Sequence, residues 1–145
     1  MVEPPQLLSA REHLALAEAK YRSEDGLFHL EEGLGLLEEV MAGTSPAQRA
    51  VAQNLAATYS MKIYNVVKNL VARDRALPEP DLEHLFRVVL AFDDRGFDLP
   101  ADIRSTKIEL VRRLIDHYYE GHSPAEKQAA LQQLLKISGE RPADG

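Results

Sequence analysis

Eight prolines punctuate the chain at positions 4, 5, 46, 78, 80, 100, 124 and 142, and long proline-free intervals separate them. Proline lacks a backbone donor and clashes with the preceding turn, so helices can run only in those intervals and must begin or end at the prolines. Two of the boundaries carry extra information. Ser45-Pro46-Ala47-Gln48 and Ser123-Pro124-Ala125-Glu126 each place Ser at an N-cap, Pro at the first helical position and Gln or Glu at the third, which is a capping box. Gly43, Gly96 and Gly121 stand where left-handed C-caps would close the preceding helices. This punctuation predicts six helices, over residues 6–22, 25–42, 46–73, 80–95, 100–120 and 124–138.

The apolar spacing agrees. Leu82, Leu85, Phe86, Val89 and Phe92 form one helical stripe, and Ile103, Leu110, Val111, Leu114, Ile115 and Tyr118 form another. Leu and Ala supply 21 and 18 residues against 9 Val and 5 Ile, a bias towards side chains that lose little rotamer freedom in a helix. The expected fold is therefore all-α. It comprises about six antiparallel helices, as stacked helical hairpins or a compact bundle, in one domain over residues 1–138 with a disordered polar tail over 139–145. The sequences 43–49 and 121–127 resemble each other at an offset of 78, which shared turn chemistry explains without a duplicated unit.

Composition removes several functions. No cysteine is present, so disulfides, thiolate metal sites and cysteine nucleophiles are excluded. The net charge of −6 disfavours general attraction to nucleic acid or anionic lipid. The start of the chain has neither the basic region nor the apolar run of a signal peptide, and no stretch reaches the roughly 20 apolar residues of a membrane span, so a soluble cytoplasmic protein is expected. No Gly-x-Ser-x-Gly, His-Glu-x-x-His, phosphate-binding loop or dinucleotide fingerprint occurs, and no catalytic residue or cofactor is predicted. The histidines, at 13, 29, 84, 117 and 122, never pair at a spacing of three or four, so no metal site is predicted and surface or rim positions are expected. Carboxylate pairs such as Glu38-Glu39 and Asp93-Asp94 read as solvated faces. On the fifth helix Arg104, Lys107, Arg112 and Arg113 form a basic face that Asp102, Glu109, Asp116 and Glu120 balance.

The third helix stands apart. Residues 46–73 carry four cations, Arg49, Lys62, Lys68 and Arg73, and no acid, giving +4 between segments of −6 and −4. Val51, Ala52, Leu55, Ala56, Tyr59, Ile63, Val66, Val67 and Leu70 cover one broad face and are the expected core. Asn54, Met61, Tyr64, Asn65 and Lys68 cluster on the other side, where Tyr and Met offer contact area and Asn offers hydrogen bonds to a partner's backbone. This predicts a partner-binding surface centred on Tyr64, unless other helices cover that side and the cations meet acids of flanking helices. In the second helix Leu27, Leu30, Leu34, Leu37 and Met41 make a short coiled-coil-like seam, expected to serve an internal antiparallel contact. Gly33 and Gly35 within it are expected to permit close helix packing.

Leu14, Ala17, Tyr21, Leu30, Leu34 and Leu37 give the first hairpin a pattern that resembles the tetratricopeptide repeat, and Asn54-Leu55-Ala56-Ala57-Thr58-Tyr59 resembles that repeat's first helix. Glu18, Leu30 and Leu37 depart from its preference for small residues. The resemblance implies an α-solenoid that binds a peptide or protein in a groove, and small acidic proteins of this shape include bacterial secretion chaperones. The function expected is a non-catalytic protein-protein interaction module or chaperone-like adaptor, monomeric or homodimeric, binding a peptide or helix. The alternative is an α-helical nucleic-acid accessory protein working through the cationic third helix.

Overall fold

The computed structural model describes residues 4–74, 77–93, 95–120 and 123–137. Six helices follow in order: α1 (Pro5–Ala19), α2 (Glu24–Met41), α3 (Pro46–Arg73), α4 (Glu79–Leu90), α5 (Ala101–Tyr118) and α6 (Pro124–Ile137). No strand occurs among the described residues, so the fold is all-α, as the proline punctuation implies. Both predicted serine caps form. Ser45 Oγ accepts from Gln48 N–H at 3.3 Å and Ser123 Oγ from Glu126 N–H at 3.2 Å, each satisfying an otherwise unpaired donor of the first turn.

The predicted glycine caps fare differently. Gly43 N–H donates to the Val40 carbonyl at 3.0 Å, and the residue before it, Ala42, keeps a right-handed conformation, so the end of α2 has no left-handed cap. Gly96 does have positive φ, +76°, but it lies beyond the helix it was expected to close. The chain leaves α4 at Leu90 because Phe92 and Asp93 turn inward, Phe92 against Tyr64 and Asp93 against Lys107. Gly121 and the predicted tail over 139–145 lie outside the described residues.

Among the described residues, contacts run only between helices that are one or two apart in the chain, and α1 meets α2 and α3 but none of the later helices. Cross-links between side chains give the directions. Gly26 sits against Lys20 at one end and Gly33 against Leu14 further along, so positions fall on α1 as they rise on α2 and the two helices are antiparallel. Asp93 meets Lys107, and Glu79 and Glu83 meet Tyr118, so α4 and α5 are antiparallel as well. Gln53 bonds to the backbone of Asp98 just before α5 and Lys68 approaches Glu109, which makes α3 and α5 parallel. Glu24 faces His84 and Glu38 faces Arg95, which does the same for α2 and α4. These relations describe stacked hairpins, with α1, α3 and α5 running one way and α2 and α4 the other. A bundle closed by contact between its first and last helices would look different.

The core is continuous through α1 to α5 and is lined by Leu7, Leu14, Leu30, Leu34, Leu37, Ile63, Leu85, Leu110 and Leu114, all essentially inaccessible. The leucine seam of α2 is buried within the monomer by α1 and α3, with Met41 half-buried at its end. In α3 the buried arc is rotated from the predicted one. Ser60, Tyr64 and Val71 are buried, whereas Val51, Tyr59 and Val66 are only half-buried.

Candidate functional site

The surface predicted on α3 survives in part. With successive side chains about 100° apart around the axis, Asn54, Thr58, Met61, Asn65, Lys68, Asn69 and Ala72 fall within an arc of about 100°. Asn54, Thr58, Asn65, Asn69 and Ala72 are exposed, and Met61 and Lys68 are half-buried. The arc holds amides, a hydroxyl, a thioether and one cation, and no carboxylate. Its acid-free surface is unusual in a chain with 23 acidic residues.

Tyr64 does not belong to it. Its side chain has no solvent exposure and its ring packs edge-to-face on Phe92 with centroids 5.7 Å apart. On the wheel it lies about 40° beyond the arc, on the side of Ser60, Val67 and Val71. The turn after α4 covers that side, so the expectation of a surface centred on Tyr64 is corrected to an amide-rich stripe beside it.

The cations of α3 are distributed unevenly. Lys68 Nζ stands 4.0 Å from Glu109 on α5, and Lys62 lies over the Tyr59 ring at 5.0 Å. Arg49, Lys62 and Arg73 have no ion pair among the described residues. Internal pairing with flanking acids therefore accounts for one cation of the four. The expected basic face of α5 also loses a member, because Lys107 is only 1% exposed and binds Asp93 Oδ1 at 3.0 Å. Asp93, whose side chain is 10% exposed, is correspondingly no part of a solvated acidic face. Its neighbour Asp94 lies outside the described residues.

Several polar clusters join residues too distant in sequence for spacing to reveal them. His84, buried on α4, has Nε2 2.9 Å from the Tyr21 carbonyl, which can only accept, so that nitrogen carries the proton. Its Nδ1 faces Glu24 Oε1 at 3.6 Å, and Arg87 approaches the same oxygen at 3.7 Å. Together they tie α4 to the turn between α1 and α2. The Tyr118 hydroxyl lies 2.9 Å from Glu79 Oε1 and 3.0 Å from Glu83 Oε1. Those hydrogen bonds hold the phenol well above the usual tyrosine range, the Glu79 bond contributing most. His13 Nδ1 and His29 Nδ1 approach to 2.9 Å across the α1–α2 contact.

A pocket of about 510 Å³ opens between the end of α3 (Val71, Ala72), the end of α5 (Arg113, Asp116, His117, with Glu120 following) and Lys127 of α6. Both signs of charge line it, and Lys127 already approaches Asp116 at 3.6 Å, so it presents no single complement to a ligand. His117 is a half-buried rim residue there, as expected; His122 lies outside the described residues. Among the described residues no helix is long and apolar enough to cross a membrane.

Compared with models of protein families, with curated proteins and with solved structures, the chain matches none.

Proposed function

We propose that the protein is a non-catalytic protein-interaction module, chaperone-like or adaptor-like, and that the exposed stripe of α3 is where it meets a peptide or helix of its partner. The observation that carries this reading is the stripe itself. A 28-residue helix offers solvent a row of amides with a thioether and a lysine and without a carboxylate. Asn54, Asn65 and Asn69 can hydrogen-bond a partner in either sense, Met61 adapts to an apolar side chain, and Lys68 at the edge can accept an acid. The hairpin stacking supports the same reading, since stacked hairpins commonly bind through one helical face, and it is the feature on which a tetratricopeptide-like relationship would rest.

The nucleic-acid alternative is less well supported. Tracking a phosphate backbone needs cations in a row, whereas at about 100° per residue Arg49 lies on the opposite side of α3 from Lys62 and Arg73. Photo-crosslinking tests the proposal directly. A benzophenone side chain placed at Asn65 should capture a discrete protein from native lysate, and one placed at Glu32 on the exposed side of α2 should not. Equal labelling from both positions, or labelling at Asn65 that is lost after nuclease treatment, would overturn the reading. Capture through the stripe should also persist at high salt, where contacts with phosphate weaken steeply.

A further inference from the structure

We infer that His13 of α1 and His29 of α2 form a two-histidine binding site for a tetragonal divalent metal ion of the Cu(II) or Ni(II) type. The two Nδ1 atoms stand 2.9 Å apart, both rings are part-buried, and the ring planes are inclined by only 31°. Two imidazole nitrogens can approach that closely in only two ways: they share a proton, or they share a cation. Two nitrogens each about 2.0–2.1 Å from one ion and at right angles to each other lie about 2.9 Å apart, while a tetrahedral pair would lie about 3.3 Å apart. The observed separation fits the right-angled pair, the geometry that Cu(II) and Ni(II) favour with nitrogen and oxygen donors.

The surroundings of the pair point the same way. His29 Nε2, the nitrogen remote from His13, faces Asp25 Oδ2 at 3.7 Å. A carboxylate on the far nitrogen is the usual outer support of a metal-bound histidine, fixing the tautomer that leaves the near nitrogen free to ligate. Lys20 donates to the same Asp25 oxygen at 3.1 Å and so holds that side chain in place. The backbone makes the convergence possible. A Cβ on Gly33 would lie 2.9 Å from Leu14 Cγ and 3.3 Å from His13 Cβ, so α1 can approach α2 this closely only because position 33 has no side chain.

No group of three or more His, Asp or Glu side chains among the described residues could hold a metal ion together. The protein thus supplies two ligands, and water or a partner's donor group completes the shell. On binding, the ring that carries the shared proton on Nδ1 gives it up and takes one from solvent at Nε2, so that two neutral imidazoles each donate one Nδ1 lone pair to the ion.

The test uses the full-length chain without an affinity tag, titrated with copper(II) sulfate while the imidazole C–H signals are followed by NMR. Paramagnetic broadening should reach the His13 and His29 signals first and complete at one equivalent, with the other three histidines affected only beyond it. Broadening of all five together, of another histidine first, or of none would overturn the inference. His13→Gln and His29→Gln, with helicity checked by circular dichroism, should each abolish the one-equivalent phase, and Asp25→Asn should weaken it by about tenfold. Wild-type affinity in both glutamine variants would equally overturn it, and the wild-type titration decides the matter if a variant fails to fold.

Discussion

The α1–α2 and α4–α5 hairpins are both antiparallel and both bury leucine faces, yet their helices are held at their contacts by opposite means. In α1–α2 the helices meet where side chains are missing. Gly26 sits against the backbone of the turn, where a Cβ would lie 2.0 Å from the Lys20 carbonyl oxygen, and Gly33 sits against Leu14. In α4–α5 a long side chain spans the contact, with Lys107 reaching from α5 to Asp93 in the turn after α4 while almost wholly buried. Close approach gives the first hairpin dispersion contacts with no charge to desolvate. The second accepts a desolvated ion pair, which fixes the path of the 91–100 connection but contributes stability only while both partners are present. The two hairpins should therefore fail under different kinds of substitution.

The largest effect is expected in the second hairpin. Asp93→Asn removes the carboxylate charge that the buried Lys107 ammonium binds at 3.0 Å and should cost about 3–5 kcal/mol in a denaturant melt. Replacing both residues, Lys107→Met with Asp93→Asn, removes the charges together and should recover most of that loss, so the double-mutant cycle should show strong coupling. Additive single losses would mean that the pair is not what holds the connection, and the contrast between the hairpins would lose its basis.

In the first hairpin the sensitive position is Gly33. Gly33→Ala must displace Leu14 or separate α1 from α2, and overpacking of this kind costs about 1–3 kcal/mol. Gly35 is an internal control on the same helix, since a Cβ there meets nothing within 4 Å. Gly35→Ala should stabilise by about 0.5–1 kcal/mol, the ordinary gain from removing backbone freedom in a helix. Thermal melts of the two variants should move in opposite directions; a shared direction would show that close approach is not what the glycines provide.

The same comparison shows what could be read from the chain. Helix starts were legible because Pro46, Pro124 and their serines act within four residues, and the leucine seam was legible because its period is local. The role of Gly33 was foreseen as close packing; that Gly35 plays no such part was not, because only the partner helix distinguishes them. The sequence alone puts Lys107 on a solvated face, since nothing near it in sequence announces that Asp93 will turn inward. Spacing of three or four along one helix cannot reveal His13 and His29, which meet across two helices, sixteen residues apart. Tyr64 failed for a subtler reason. The residues around it fix its angle on the wheel, but whether that angle faces water depends on Phe92, which arrives from the turn after α4.

The smallest expected effect separates the hairpins by pH. In the first, the Lys20 hydrogen bond lowers the pKa of Asp25, so the folded state favours the carboxylate. Its contribution is present above the unfolded-state pKa and fades as pH falls through the folded one. In the second, hydrogen bonds to Glu79 and then Glu83 raise the pKa of Tyr118, so the folded state favours the neutral phenol. That contribution is complete below the ordinary tyrosine pKa of about 10 and fades as pH rises beyond it. Asp25 is exposed and the half-buried Tyr118 makes its hydrogen bonds at the surface, so screening keeps either effect slight in a melt. Spectroscopy is the sharper measurement. In an alkaline titration followed by phenolate absorbance, Tyr118 should give a late step, above the ordinary tyrosine range. Tyr118→Phe should delete that late step, while Glu79→Gln should move it to lower pH by more than Glu83→Gln does. A late step that survives Tyr118→Phe would belong to another tyrosine, and buried Tyr64 would be the one to substitute next.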